Sequence, residues 1–240
     1  MTQSVHVLAV AAHRDDVELT CAGTLIKAAD QGYRTGILDL TAGETGTRGS
    51  AALRASEAEA AARIMGVAER RNAGLPDAGL HNSDEARRIV VEAIRHFAPR
   101  VVILPFPVGR HPDHRIASEL ARDACFLAGL AKYPAGGMPH RPFKILYALA
   151  YREDPVKPTF VVDITPQFDR KMAAIRCYAS QFDGATNAGE IFPTGQDLYS
   201  LVGTQNAHYG SLIRARFGEP YFTHETVEID DIVQLGVQSM

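Results

Sequence analysis

Two short stretches carry the residue types that do chemistry. His13-Arg14-Asp15-Asp16 sets an imidazole beside two carboxylates, and His111-Pro112-Asp113-His114-Arg115 sets two imidazoles around another. A catalytic metal site takes three protein ligands and leaves one position open. His13 and Asp16 can both reach one ion from a tight strand-to-helix turn, and either His111 or His114 can supply the third ligand. Zn2+ suits such a set, and Fe2+ or Co2+ would also fit. Asp15 then points toward a water on the metal. Zinc lowers the pKa of such a water to roughly 7, and a neighbouring carboxylate takes the proton as general base. The spare histidine, if protonated, stabilises an oxyanion on the substrate carbonyl. These parts together describe metal-assisted hydrolysis of an amide or ester. Each stretch alone has a plainer reading. An Asp pair after a strand caps a helix, and a His-Pro-Asp-His run opens one.

Placement decides between the two readings. Val5 to Ala12 and Val101 to Leu104 are apolar runs, the second within a strand read over Arg100 to Leu104, and runs apolar on both faces suit central parallel strands. Each cluster follows one of them. Helical patterns cover Glu18 to Gln31, Ala51 to Met65, Asp84 to Phe97 and the second cluster onward to about Leu130. Arg34 to Leu40 reads as a strand, and a short strand precedes Asn72. Strand and helix thus alternate through the first half. That predicts a Rossmann-like, three-layer α/β domain over 1–240, with a mostly parallel sheet and an additional C-terminal strand-helix portion. In that portion Ile145 to Tyr151 and Thr159 to Ile164 read as strands. Gln167 to Ser180 and Leu198 to Phe217 read as helices, and Phe182 to Thr194 as a loop. Lys132 to Pro142 reads as irregular. Ligands of such sheets bind beyond the carboxyl ends of the strands, where both clusters are expected to meet.

The formal charge of -3 gives no reason to expect nucleic acid or an anionic membrane as partner. Three scattered cysteines make a disulfide framework unlikely, and the chain reads as cytoplasmic. Val5 to Ala12 is too short to span a membrane. Thr41 to Ser50 is a glycine-rich loop, long and polar enough to be functional.

The stretch A-H-R-D-D-V-E-L-T-C-A-G-T-L resembles the A-H-P-D-D-x-E-x-x-x-G-G-T motif of the LmbE-like (PIG-L) zinc-dependent N-deacetylases, and H-P-D-H-R resembles their second motif. The R-A-S-E-A-E-A-A-A-R helix, the L-P-D-A-G-L turn, P-H-R at 139–141, K-P-T-F-V-V-D-I at 157–164 and Y-A-S-Q-F at 178–182 also have counterparts. The later set is similar to the branch that deacetylates N-acetylglucosaminyl malate in bacillithiol synthesis. The resemblance implies His13, Asp16 and His114 as zinc ligands, Asp15 as general base and then acid, and His111 as the oxyanion-stabilising residue. It implies a small-molecule N-acetylglucosamine conjugate as substrate and a homo-oligomer, a trimer or hexamer. Arg14 stands where the commonest motif has Pro, and a cation beside Asp15 would lower its pKa. Gly109 stands where some relatives place a tyrosine that assists the oxyanion, and Tyr199 is the candidate substitute.

For the rest of the substrate, Arg54 and Arg110 are the candidate guanidinia for a malate carboxylate. Asp77 is a candidate for sugar hydroxyls, with turn chemistry as its plainer role. Glu44 and Arg48 belong to the loop expected to rim the pocket. Cys21 reads as a small buried residue. Rival substrates are an inositol glycoside or a chitooligosaccharide conjugate. A non-catalytic metal- or sugar-binding relative is the reading from a different class, and it has no use for Asp15 and His111 together.

Overall fold

The computed structural model describes residues 4–149, 156–183 and 197–237. The apolar runs form strands β1 (Val7–Ala11), β2 (Thr35–Thr41), β4 (Val101–Pro105) and β5 (Lys144–Ala148). Between them lie helices α1 (Asp16–Thr20), α2 (Ala22–Asp30), α3 (Ala51–Met65), α4 (Asp84–Phe97) and α5 (Pro112–Ala128), with strand β3 (Glu69–Leu75) after α3. The C-terminal portion adds β6 (Phe160–Asp163), α6 (Phe168–Arg176), α7 (Ala179–Phe182), α8 (Leu198–Ser211) and β7 (Gly218–Phe222). The seven strands make one sheet in the order β3-β2-β1-β4-β5-β7-β6. β1 to β5 are parallel, and β7 runs antiparallel between β5 and β6.

β1 and β4 are neighbours, with Ala9 opposite Ile103. The chain winds outward from β1 through β2 to β3, then returns to the other side of β1 for β4. That reversal is the switch point at which ligands of such sheets bind. The turns that follow β1 and β4 carry the two histidine clusters, so the topology brings them together. Two buried apolar layers hold the sheet. One packs α4 and α5 against Val10, Leu104 and Tyr147; the other packs α1 to α3 against Ala9, Ile103 and Ala148.

Three expectations are corrected. The helix expected over Glu18 to Gln31 starts at Asp16 and breaks at Cys21, whose φ is -139°. The break frees the Leu19 carbonyl to accept from Lys171 Nζ at 3.0 Å. It also turns the Gly23 and Thr24 amides toward the Glu219 carboxylate, at 2.8 and 2.7 Å. Glu219 comes from β7, so this cap is invisible to any local pattern. Gly23 is required here, because a Cβ would lie 2.7 Å from the Ile164 side chain. The helix expected to reach Phe217 ends at Ser211, and Gly218 to Phe222 is an interior strand that the sequence reading did not anticipate. The helix expected over Gln167 to Ser180 is split into α6 and α7. The irregular stretch does hold. Buried Arg95 staples it, donating to the carbonyls of Ala128, Leu130 and Ala135. Most of the loop expected over Phe182 to Thr194, and the end of the strand expected over Ile145 to Tyr151, lie outside the described residues.

Lys171 and Glu219 are fully buried and 2.7 Å apart, tying α6 to β7 and to the α1–α2 break. Breaking a buried pair leaves an uncompensated charge and costs about 3–5 kcal/mol. Lys171→Met is expected to lower the unfolding free energy in urea by that amount. A loss under 1 kcal/mol would show that the pair is not what fixes α1.

Candidate metal and catalytic centre

The first turn folds back on itself. The Asp16 amide approaches the His13 carbonyl, and the His13 amide donates to Asp16 Oδ2 at 2.8 Å. The Asp16 carboxylate is thereby laid against the His13 ring, with Oδ2 3.4 Å from Nδ1. Its other oxygen lies 3.1 Å from Nε2 of His114, on the first turn of α5. One donor atom from each of His13, Asp16 and His114 lies within 4.8 Å of the others. Ligands on a tetrahedral ion with bonds of about 2.1 Å sit about 3.4 Å apart, so this group, with its donor atoms within 4.8 Å of one another, could close on a divalent cation.

The far side of His13 settles which nitrogen is free. Nε2 lies 3.1 Å from Asp77 Oδ1 and 3.5 Å from Asp113 Oδ2. A proton on Nε2 serves those carboxylates and leaves Nδ1 open toward Asp16, the usual carboxylate–histidine arrangement behind a metal ligand. A second group, His13, His111 and Asp113, also has donor atoms close together. Its atoms are otherwise engaged: Asp113 Oδ2 accepts from the Ala78 amide at 2.8 Å, and His111 Nδ1 accepts from the Asp113 amide at 3.2 Å. The geometry therefore favours His13, Asp16 and His114.

His111 is the cap of α5. Because its Nδ1 accepts a backbone N–H, the ring proton sits on Nε2. Burial and the charges of His114 and His13 lower its pKa. A neutral N–H can still hold a developing oxyanion.

Asp15 occupies the cap position of α1 and stands outside the ligand group. Burial raises its pKa, opposed by the Arg54 guanidinium, whose Nη2 is 3.2 Å from Oδ1. Asp16 moves the other way: burial would raise it, but His114 and His13 hold it well below the ordinary range. Two adjacent carboxylates pushed apart in this way could serve one as ligand and the other as base. The cation beside Asp15 is Arg54, not Arg14, whose Nη1 turns away to the Ala51 carbonyl at 2.7 Å.

The structure also repositions the substrate candidates. Arg54 is buried, with one Nη on Asp15 and the other donating to the Gly43 carbonyl at 3.1 Å. Gly43 has φ 70°, and a side chain there would strike the guanidinium. Arg54 thus holds Asp15 and the glycine-rich loop. Asp77 faces His13 with one oxygen and accepts from Thr45 N and Oγ1 with the other, at 2.9 and 2.6 Å. Glu44 accepts from the Asp77 amide at 2.8 Å. Asp77 is therefore committed to the loop and to His13. Arg110 and Arg48 line a cavity of about 540 Å³ that is also lined by all five candidate metal and catalytic residues. Tyr199 is not brought there. On α8, its hydroxyl donates to Asp183 after α7 at 2.7 Å, so the expectation of an oxyanion role is not met.

Sequence reasoning missed the group behind the first turn. Arg70 on β3 grips Asp39 of β2 with two bonds, at 2.7 and 2.8 Å, and reaches Glu18 of α1 at 2.6 Å. Its Nη2 donates to the Arg14 carbonyl at 2.6 Å, and the Tyr178 hydroxyl donates to the same carbonyl. Burial raises Glu18 to about 7 against the pull of Arg70. The turn that carries Asp15 is thus pinned from beneath. Glu18 in the first motif and Tyr178 in the last were the only local signals.

Burial alone would lower the His13 pKa, but Asp16, Asp15 and Asp77 outweigh it and raise it to about 9. The stability this gives the metal-free protein is full below pH 6.5 and lost as pH rises through about 9. Metal must displace that proton. Metal affinity is expected to rise about tenfold per pH unit between 7 and 9, with proton release measurable by calorimetry in two buffers. A pH-independent affinity would remove His13 from the ligand set.

The family model described as PIG-L, GlcNAc-PI de-N-acetylase, matches residues 8–125. The chain is 31% identical to a diacetylchitobiose deacetylase of Thermococcus kodakarensis, over 73% of this chain and 70% of that one. It is 29% identical to a probable N-acetyl-alpha-D-glucosaminyl L-malate deacetylase 2 of Bacillus anthracis, over 80% of this chain and 87% of that one. A conserved protein of Thermus thermophilus has a crystal structure that superimposes with a TM-score of 0.84 at 36% identity, covering 94% of this chain and 98% of that one.

Proposed function

The chain belongs to the PIG-L (LmbE-like) de-N-acetylase family, and from that premise we propose that it is a zinc-dependent hydrolase that removes the N-acetyl group from an N-acetylglucosamine conjugate. The observation that carries this reading is the separation of roles within one buried turn. Asp16 faces two imidazoles, while Asp15, one residue earlier, is held apart by Arg54.

A zinc ion held by His13, Asp16 and His114 would supply Lewis acidity toward water and the amide carbonyl. The chain's own residues do the rest. Asp15, its pKa raised by burial, takes the proton of the attacking water and returns it to the departing amine. Arg54 keeps that carboxylate aimed and ionised. His111 offers its Nε2–H to the carbonyl oxygen as negative charge develops there. The products are acetate and a free amine.

For the conjugate, N-acetylglucosaminyl L-malate is the favoured substrate. With Arg54 committed to Asp15, the malate carboxylates fall to Arg110 and Arg48, which line the same cavity. Among the described residues no helix is long and apolar enough to cross a membrane. We place the enzyme in the cytoplasm as a homo-oligomer acting on a small molecule.

Acetate release is measured from the malate, inositol and chitobiose conjugates, with a chelator-stripped control. The expected result is activity lost on stripping, and at least a tenfold preference in kcat/KM for the malate conjugate that Arg110→Ala removes. Equal rates across the panel would remove the malate assignment, and no acetate from any member would overturn the reading. Arg54→Met is expected to raise the acid limb of the pH–rate profile, because the charge that opposes the burial of Asp15 is gone. An unmoved limb would show that Asp15 is not the titrating base.

A further inference from the structure

We propose that the arm following β7, residues 223–237, docks on an apolar, basic patch of a second copy, so that arm and patch together hold the homo-oligomer. The inference rests on the homo-oligomer reading and names its surfaces. It does not depend on the chemistry of the metal centre.

The arm is held at its root. His224 packs edge-on against Tyr147 and Phe222, with ring centroids 5.3 and 4.9 Å apart. From Glu225 onward, among the described residues, its hydrogen bonds stay within the arm: Glu225 bonds to Thr223, Val233 to Asp231 and Val237 to Leu235. Yet the arm is not a polar tail. Val227, Ile229, Ile232, Val233, Leu235 and Val237 are all exposed. Glu225, Glu228, Asp230 and Asp231 are interspersed with them, and the arm carries no Lys or Arg. Exposed apolar side chains gathered in this way and rimmed by charge mark a contact surface. Its complement is apolar and basic.

This chain carries such a surface beside the amino ends of β4 and β5, where Phe126, Met138 and Phe143 are exposed. Arg141 stacks on Phe126 with its guanidinium carbon 4.5 Å from the ring centre, and donates to the Phe126 carbonyl at 3.0 Å. Arg100 lies 5.6 Å over the ring of Phe143, whose amide donates to the Arg100 carbonyl at 2.9 Å. Among the described residues neither guanidinium forms an ion pair. The carboxylates of an arriving arm would meet both, beside rings that its apolar side chains can cover. Ile232, Val233, Met138 and Phe143 are each at least 80% exposed, so arm and patch do not cover one another within one chain. A second copy supplies the missing half of each. The patch lies at the opposite edge of the sheet from the histidine clusters, which follow the carboxyl ends of β1 and β4. Docking there leaves the catalytic centre open.

Two full-length variants are compared with the wild type by sedimentation velocity. One disables the arm, Ile232→Asp with Val233→Asp; the other disables the patch, Met138→Asp with Phe143→Asp. All four positions are exposed, so neither variant disturbs the core. The wild type is expected to be oligomeric at micromolar concentration, and each variant alone to dissociate with a Kd raised about a hundredfold. Mixed in equal amounts, the two variants are expected to form a heterodimer, because one still offers an arm and the other a patch. Should a variant not fold, a synthetic peptide of residues 223–237 replaces it and is expected to dissociate the wild-type oligomer. A monomeric wild type would overturn the homo-oligomer and the arm together. An oligomer that persists in either variant, variants that stay apart when mixed, or a peptide without effect would overturn the arm-on-patch contact and leave the homo-oligomer standing.

Discussion

The structure depends on concentrated negative charge around one imidazole. Asp16, Asp77 and Asp113 each place a carboxylate oxygen within 3.5 Å of a His13 nitrogen, and Asp15 adds a further charge close by. Such a gathering in a buried cleft is tolerable only with compensating positive charge. Without metal the protein supplies it through Arg54 on Asp15 and a proton on His13. A divalent cation at the His13–Asp16–His114 group would take the place of that proton, which is why the group suits a metal by charge as well as by spacing.

Around this centre the fold works mainly to hold one turn still. Parallel pairing of β1 with β4 brings the two histidine stretches to the same edge. Beneath the first turn, Arg70 and Tyr178 clamp the Arg14 carbonyl, and Asp39 and Glu18 anchor Arg70. Behind α1, the Glu219–Lys171 pair fixes the break at Cys21. In front, Thr45 and Glu44 tie the glycine-rich loop to Asp77 and so to His13. The glycine-rich loop at the cavity and the carboxylate behind His13 are thus one hydrogen-bonded unit.

The sequence made the centre legible because its chemistry is local. His13 to Asp16 and His111 to His114 are short motifs, and each follows an apolar run whose strand character needs no tertiary information. The parallel sheet followed from alternation alone. What was not legible depends on partners far away in the chain. The break at Cys21 needs Glu219, nearly two hundred residues on. β7 reads poorly because Gly218, Glu219 and Pro220 are weak strand formers whose pairing with β6 overrides propensity. Edge strand β3 is polar, Glu69 to Asn72, for the same kind of reason: its arginine serves α1 rather than solvent. Arg54 and Asp77 were legible as site residues but not in their roles, since both are consumed by neighbours that only the fold supplies. Tyr199 was drawn in by residue type alone.

The most direct test is metal content measured beside turnover in Asp15→Asn and Asp16→Asn. Asp15→Asn is expected to bind as much zinc as the wild type while losing about a thousandfold in kcat, and Asp16→Asn to lose the metal itself. Zinc lost from Asp15→Asn, or wild-type turnover in it, would contradict the division of the two neighbouring carboxylates into base and ligand.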